Sequence, residues 1–265
     1  MRKPASALLL SFAVAAASSS FAQQPSVFLE DLTSPELRTA IAAGKTTVLV
    51  PIGGTEQNGP HMALGKHNTR ARLLSGKIAG ALGNAIVAPV LAYVPEGTID
   101  PPSQHMKFPG TITVREDTFE KLLESAARSF RLHGFRDIVL LGDHGGYQGN
   151  LRHVADRLNK EWLRVGIRVH AIPEYYATVE AEFPAYLERK GHTRAEIGLH
   201  AGLADTSLTL ALDPSLVRTD HLADEAGPKN GVVGDPARSS AELGKAGVDL
   251  IVSRTVEAIR KAVRR

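Results

Sequence analysis

Residues 47–67 read TVLVPIGGTEQNGPHMALGKH. The first six residues form an apolar run that predicts a buried β-strand ending at Ile52. The loop beyond this strand holds a carboxylate, an amide and two imidazoles, from Glu56, Asn58, His61 and His67. In open α/β sheets, ligands and metals are held beyond the carboxyl ends of the strands. This loop is therefore the first candidate for a functional site.

Apolar runs and amphipathic stretches alternate along the rest of the chain. Further strands are predicted at 84–94, 137–141 and 167–172, and a strand-like stretch at 111–114 follows a long turn-rich connection over 95–110. Helices are predicted at 69–82, 116–132, 150–165, 177–190, 205–212 and 239–263. Strands that alternate with helices predict an α/β fold, with a mainly parallel sheet covered on both faces.

The N-terminus is typical of a secretory signal peptide. A basic start precedes an apolar run over 5–17, and Ser20-Phe21-Ala22 has the small residues that signal peptidase requires. We predict that residues 1–22 are removed and that residues 23–265 form a single domain. The protein is then periplasmic or secreted, because no later segment has the roughly 20 apolar residues of a membrane helix.

The chain contains no cysteine, so any metal ion is held by His, Asp and Glu side chains. Such ligands suit zinc, manganese or iron, with zinc the first choice. The formal net charge of +3 includes the basic residues of the signal peptide. The remaining positive side chains are scattered or lie at the C-terminal helix end, so nothing in the sequence predicts binding to nucleic acid.

Two further motifs carry residues suited to metal chemistry. Gly142-Asp143-His144-Gly145-Gly146 follows the strand at 137–141, and residues 200–205 begin with His200 and end with Asp205. We predict Glu56, His67 and His144 as metal ligands and His200 as the general acid–base. Asp205 is predicted to orient His200 or to bind the metal.

Structural alternatives remain open at each of these positions. Glu56 could cap a turn, His144 could lie in the core, and His67 and Asp205 could each cap a helix. Asp143, His61, Gly145, Gly146 and Tyr147 are predicted to surround the site or to support its loops. The other histidines are predicted to be surface or structural residues, namely His105, His133, His153, His170, His192 and His221. The sequence contains neither a phosphate-binding loop nor a G-x-S-x-G elbow.

In this order, the motifs resemble the creatininase (creatinine amidohydrolase) family. Residues 54–67 resemble the family signature G-[ST]-x-E-Q-H-G-P-H-L-P-L-G-T-D, and residues 108–111 read FPGT as the family does. Residues 144–146 are similar to the end of its N-G-H-G-G motif, and residues 200–207 to H-A-G-x-x-E-T-S. Residues 231–236, GVVGDP, are similar to its C-terminal G-V-x-G-D-P.

The resemblance implies a Rossmann-like three-layer α/β/α fold, usually assembled as a hexamer. It also implies hydrolysis of a C–N bond in a cyclic amide, formamide or peptide-like substrate. The family's metal ligands fall on Glu56, Asn58, His67 and His144. Its catalytic histidine falls on His200, and its later acidic residue falls on Asp205.

Two departures from the signature concern the metal. Asn58 stands where the family has a histidine ligand, and His67 stands where it has an aspartate that bridges two ions. A carboxylate can bind two cations at once, whereas a neutral imidazole cannot. We therefore predict one metal ion rather than two.

The substrate is harder to predict than the chemistry. Creatinine is not expected, because members that act on it carry a tryptophan on a lid near the catalytic histidine. Here Trp162 lies on a predicted helix, where core packing explains it. The alternatives are a lactonase, esterase or lyase on the same scaffold, or a non-catalytic homologue that binds a small ligand in the periplasm.

Overall fold

The computed structural model describes residues 26–222 and 227–264. The predicted signal peptide and its cleavage site lie outside these residues. Four strands form the sheet, namely β1 (Thr47–Ile52), β2 (Ala85–Val87), β3 (Asp137–Gly142) and β4 (Arg168–Ala171). The main helices are α1 (Ser34–Ala42), α2 (Lys66–Leu82), α3 (Glu116–Leu132), α4 (Gln148–Glu161), α8 (Leu203–Leu212) and α9 (Ala241–Ala262), with the shorter α5 (Pro173–Ala177), α6 (Phe183–Arg189) and α7 (Arg194–Ile197) between α4 and α8.

The sheet is parallel and has the order β2-β1-β3-β4. Every residue of β1 and β3 is buried, as expected for strands covered on both faces. Leu49 and Leu141 pack with α2, α8 and α9 on one face, whereas Val50 and Leu140 pack with α3 and α4 on the other. The predicted three-layer α/β/α fold with a mainly parallel sheet is confirmed.

Several predicted boundaries are wrong. The strand predicted at 84–94 ends at Val87, and beyond it the chain contacts β1 only through a bridge between Ile52 and Leu91. The stretch 111–114 forms a single bridge, from Ile112 to Thr55, instead of a strand. The helix predicted at 177–190 begins at Pro173 and contains a π-helical segment, Thr178–Glu182, before α6.

Because β1 and β3 are adjacent and parallel, their carboxyl ends open at the same edge of the sheet. The loops after both strands meet the first turn of α2 there. In the described part of the chain, no helix is both long and apolar enough to cross a membrane.

Candidate metal and catalytic site

A cavity of about 630 Å³ opens at the carboxyl ends of β1 and β3. Side chains from α2, the connection over 95–110, the loop after β3, the segment before α8 and the start of α8 line it, among them Lys66, His105, His144, His200 and Asp205. The predicted residues of three separate motifs therefore meet in one place. This is the position at which open α/β sheets bind ligands.

Asp143, the residue after β3, is held by three side chains. Its carboxylate accepts a 2.9 Å hydrogen bond from Arg70 Nε, lies 2.6 Å from His67 Nδ1 and accepts a 2.9 Å bond from the Tyr175 hydroxyl. Burial would raise the pKa of Asp143, but the Arg70 guanidinium and His67 hold it below its ordinary value. Asp143 therefore supports Arg70 and His67 and makes no hydrogen bond to His144.

Asp205 lies between two buried cations. Its carboxylate accepts hydrogen bonds from Lys66 Nζ and Arg70, and a 2.9 Å bond from the backbone N–H of Ala201. Burial opposes ionisation, but Lys66 and Arg70 hold the pKa of Asp205 well below its ordinary value. Asp205 thus fixes the backbone at Ala201, next to His200, but makes no hydrogen bond to the His200 ring.

Both ring nitrogens of His67 face carboxylates. Nδ1 lies 2.6 Å from Asp143 and Nε2 lies 2.7 Å from Glu56 Oε1. Both ring nitrogens of His67 are therefore engaged by carboxylates. Burial would raise the pKa of Glu56, but the hydrogen bond and charge of His67 hold it well below its ordinary value.

Two other histidines approach the second oxygen of Glu56. His105 Nε2 lies 3.3 Å and His144 Nε2 lies 3.6 Å from Glu56 Oε2, which receives no hydrogen bond from any N–H or hydroxyl group in the described part of the chain. These three side chains offer ligand atoms that all lie within 4.8 Å of one another. The ligand atoms that meet therefore come from Glu56, His105 and His144, a group that does not include His67.

Sequence reasoning missed several residues of the site, and two of these carry side chains that can bind a metal ion. The prediction that His105 is a surface or structural residue is wrong, since its ring lies 4.4 Å from the His200 ring and beside His144. Glu96 was not considered, yet its carboxylate lies 3.7 Å from His144 Nε2. Burial, with the nearby charge of Glu56, raises the pKa of Glu96 to about 9. Both residues come from the turn-rich connection, whose length was the one available signal.

His200 is presented as a neutral base. Its Nε2 lies 2.9 Å from the carbonyl oxygen of Gln57 and donates to it, so Nδ1 carries the lone pair and faces Glu56 Oε1 at 3.6 Å. Burial, with the positive charge of Lys66, lowers the pKa of His200 to about 3. The segment is held by a two-bond antiparallel bridge to Val233, within the GVVGDP motif. Ala201 has a φ of 53°, a strained conformation for a non-glycine residue and one that is frequent at functional sites.

The remaining predicted residues support loops. Asn58 donates hydrogen bonds to the carbonyls of Glu56 and Ala63, and His61 Nε2 pairs with the Thr206 hydroxyl. The Tyr147 hydroxyl donates to the carbonyls of Ile52 and Gly53, so Tyr147 ties β1 to β3 and does not line the cavity.

The two glycines after His144 allow side chains to approach closely. A Cβ atom on Gly145 would lie 2.8 Å from the Tyr176 hydroxyl, and one on Gly146 would lie 3.0 Å from the His144 ring. In the metal-free protein the N–H of Gly146 donates to His144 Nδ1 at 3.2 Å, and a metal ion at Nε2 would require the ring proton to move to Nδ1. Burial lowers the pKa of His144 to about 4, so the ring stays neutral near pH 7.

Known proteins are similar to this chain in sequence. The family model described as creatinine amidohydrolase matches residues 30–259. Creatinine amidohydrolase of Pseudomonas putida is 28% identical over 225 residues, which are 82% of this chain and 85% of the relative. A mycofactocin precursor peptide peptidase of Mycolicibacterium smegmatis is 31% identical over 180 residues, which are 66% of this chain and 61% of the relative.

Solved creatininase structures have the same fold. Two of them, one described as a Zn–Zn type and the other as creatininase with Mn, superpose with a TM-score of 0.76 at 26% identity. Each comparison covers 91% of this chain and 100% of the solved chain. The matched family model spans most of the sequence, and the chain belongs to the creatininase family.

Proposed function

We propose that the protein hydrolyses a C–N bond in a small amide, such as a cyclic amide or a formamide, with the help of one divalent metal ion. One observation carries the proposal: Glu56 Oε2, His105 Nε2 and His144 Nε2 converge beside a neutral His200. Family membership and relatives that are amidohydrolases support the reaction class.

The donor set fits a metal ion. Glu56 Oε2 is buried without a hydrogen-bond partner, and two imidazole nitrogens face it at distances too long for a strong hydrogen bond. One carboxylate and two imidazoles are common ligands of a catalytic zinc, with manganese or iron as alternatives. A bound ion would polarise the substrate carbonyl and lower the pKa of an attacking water.

The protein's own groups supply the proton transfer and the positioning. His200 Nδ1 can accept a proton from water and return it to the leaving nitrogen, because its Nε2 is committed to the Gln57 carbonyl. Asp205 holds the Ala201 N–H, and so it sets the direction of the His200 ring.

The proposal of one ion rests on two cations and a histidine that lie near the sheet edge. Lys66 Nζ lies 3.9 Å from Glu56 Oε1 and contacts Asp205, while Arg70 and His67 both contact Asp143. These positive groups repel a second metal ion and use the carboxylate oxygens that it would need. The Asn58 amide nitrogen donates to backbone carbonyls, so only its amide oxygen, a weaker ligand than the family's histidine, remains for a metal ion.

Creatinine is not the proposed substrate. Trp162 is fully buried in the core on the α3–α4 side of the sheet, away from the cavity. The residue before His200 is Leu199, which is 91% exposed and lines the cavity. Export to the periplasm or medium and assembly as a homo-oligomer, a hexamer by family resemblance, belong to the same proposal.

The test is a chelator-sensitive assay on lactams, formamides, lactones and creatinine. We expect turnover of at least one amide, with a loss of about 100- to 10,000-fold in His200→Ala while its metal content is unchanged. Turnover of lactones alone would indicate the lactonase alternative, and metal binding without any turnover would indicate a ligand-binding homologue.

Metal analysis tests the number of ions. The wild type should contain one ion per chain, whereas a variant that combines Asn58→His, Lys66→Thr and His67→Asp should bind more, because it regains the family ligands. Two tightly bound ions per wild-type chain would refute the one-metal proposal.

A further inference from the structure

Glu96 carries a buried carboxylate that faces the Glu56 carboxylate and receives no hydrogen bond from any N–H or hydroxyl group among the described residues. The residue is 1% exposed, and neither Oε1 nor Oε2 has a donor among the described residues. Buried polar groups in native proteins are nearly always satisfied, so an orphan of this kind calls for a missing ligand or ion. The carboxylate faces Glu56 and His144, where the proposed metal site lies.

The position of Glu96 is well defined by its neighbours. Its N–H donates a 2.9 Å hydrogen bond to the Thr113 hydroxyl. Two residues earlier, Val94 is fully buried, and its carbonyl accepts a hydrogen bond from the Val114 N–H. A Cβ atom on Gly54 would lie 2.5 Å from Glu96 Oε1, so the carboxylate packs directly on the backbone after β1. The side chain is therefore fixed in place at the edge of the sheet.

The distances match the spacing of ligands around one ion. Ligands at about 2.0–2.2 Å from a tetrahedral zinc lie roughly 3.3–3.6 Å from one another. His105 and His144 approach Glu56 Oε2 at 3.3 and 3.6 Å, and Glu96 Oε2 lies 3.7 Å from His144 Nε2. These separations exceed those of charge-assisted hydrogen bonds. The ligand atoms of Glu56, His105 and His144 lie within 4.8 Å of one another, and Glu96 Oε2 lies beside this group, next to His144.

We propose that Glu96 is a fourth metal ligand, so that the site has two carboxylates and two imidazoles, from Glu56, Glu96, His105 and His144. The inference rests on the proposed function and deepens it, since two of the four ligands then come from the connection over 95–110. A divalent transition metal suits this mixed donor set. The metal then fixes this connection to the end of β1.

A competing explanation is that Glu96 shares a proton with Glu56 and never binds metal. The two explanations predict different effects of Glu96→Gln. A glutamine keeps the volume and can donate an N–H to Glu56, but its amide is a poor ligand for a zinc-like ion. The substitution is therefore harmless if only a proton is shared, and harmful if Glu96 binds the metal.

The experiment measures metal binding directly in the full mature chain. Metal-free wild type, Glu96→Gln and the control Asp100→Asn are titrated with Zn²⁺ and with Mn²⁺ by calorimetry, and the rise in Tm on metal addition is recorded. Asp100 is an exposed carboxylate on the same connection, so its loss tests a general effect of charge. We expect Glu96→Gln to weaken binding by about 10- to 100-fold or more, as changes around metal ligands do. Asp100→Asn should bind as the wild type does.

Two further variants keep the result decisive. His144→Ala should lose the metal. Glu96→Asp retains a carboxylate on a shorter side chain, so it should bind the metal more tightly than Glu96→Gln does. It also provides a test if the glutamine variant fails to fold. Wild-type affinity in Glu96→Gln, with loss in His144→Ala, would overturn the role of Glu96 and leave the proposed function intact. No metal binding by the wild type would overturn both.

Discussion

Replacing Asp205 by asparagine tests whether the buried charges of the site depend on one another. The substitution keeps the size of the side chain but removes its negative charge. Asp205 contacts both Lys66, which is fully buried, and Arg70, which is 2% exposed. After the change, these two cations would share only Asp143 and the more distant Glu56.

The expected cost is large because neither cation can reach water. Removing one partner of a buried ion pair typically costs about 3–5 kcal/mol, since the remaining charge stays desolvated. For a domain of this size, each kcal/mol lowers Tm by about 2–4 °C, so the loss should be roughly 6–20 °C. A surface pair offers the contrast: Arg128 and Glu161 lie 2.6 Å apart but are each nearly half exposed, and such pairs contribute about 0–1 kcal/mol.

Thermal and urea unfolding of metal-free protein supply the assay, with Glu161→Gln as the matched control. The double variant Lys66→Met with Asp205→Leu should recover part of the loss, because it removes a cation together with its anion. If Asp205→Asn unfolded within 2 °C of Glu161→Gln, the charges would not be interdependent and the reasoning would be refuted.

Three further outcomes can be measured on the same protein. Burial lowers the folded-state pKa of His144 to about 4 and of His200 to about 3. Below about pH 6.5 the unfolded state therefore binds more protons than the folded state, and the free energy of unfolding of the metal-free protein falls by roughly 1.4 kcal/mol per pH unit for each ring. Urea unfolding at pH 7.5 and 5.0 should therefore show a smaller acid loss in His200→Gln, and an unchanged loss would contradict the sign. Gly244→Ala should destabilise the fold by about 1–3 kcal/mol, because the new Cβ would lie 1.8 Å from the Ser207 carbonyl oxygen. Gly80 on α2 has open space around it, so Gly80→Ala should stabilise the fold by about 0.5–1 kcal/mol. Equal effects of the two substitutions on Tm would refute the packing argument. Removing metal with a chelator should abolish activity and lower Tm, and re-addition of one equivalent should restore both; full activity after complete metal removal would contradict the metal-dependent mechanism.

The order and type of the main elements could be predicted from periodicity alone. The α3 helix was predicted with its observed bounds, because its apolar residues repeat at helical spacing from Glu116 to Leu132. The strand predicted to continue to Val94 was wrong because its apolar residues after Val87 serve a loop that packs on β1. Apolar periodicity records burial and does not reveal which backbone groups pair.

The site was predictable where chemistry and chain position coincide. Glu56, Asp143 and His144 follow strands directly, and the structure brings them together. His105 and Glu96 come from a connection without periodic pattern, so their approach depends on tertiary contacts that the sequence does not display. The buried positions of Lys66 and Arg70 were missed for another reason: both are types that usually face solvent, and only their carboxylate partners explain the burial.

The first turn of α2 carries Lys66, His67 and Arg70, with no acidic residue and no capping side chain. Positive charges at a helix N-terminus oppose the macrodipole, so the isolated segment 66–82 should be a poor helix in water. The turn becomes favourable only when the carboxylates of Glu56, Asp143 and Asp205 are already nearby, and these come from two strands and from α8. The start of α2 should therefore form late in folding, after the strands and α8 have come together. Its backbone amides should exchange with solvent whenever α8 moves away from the strands.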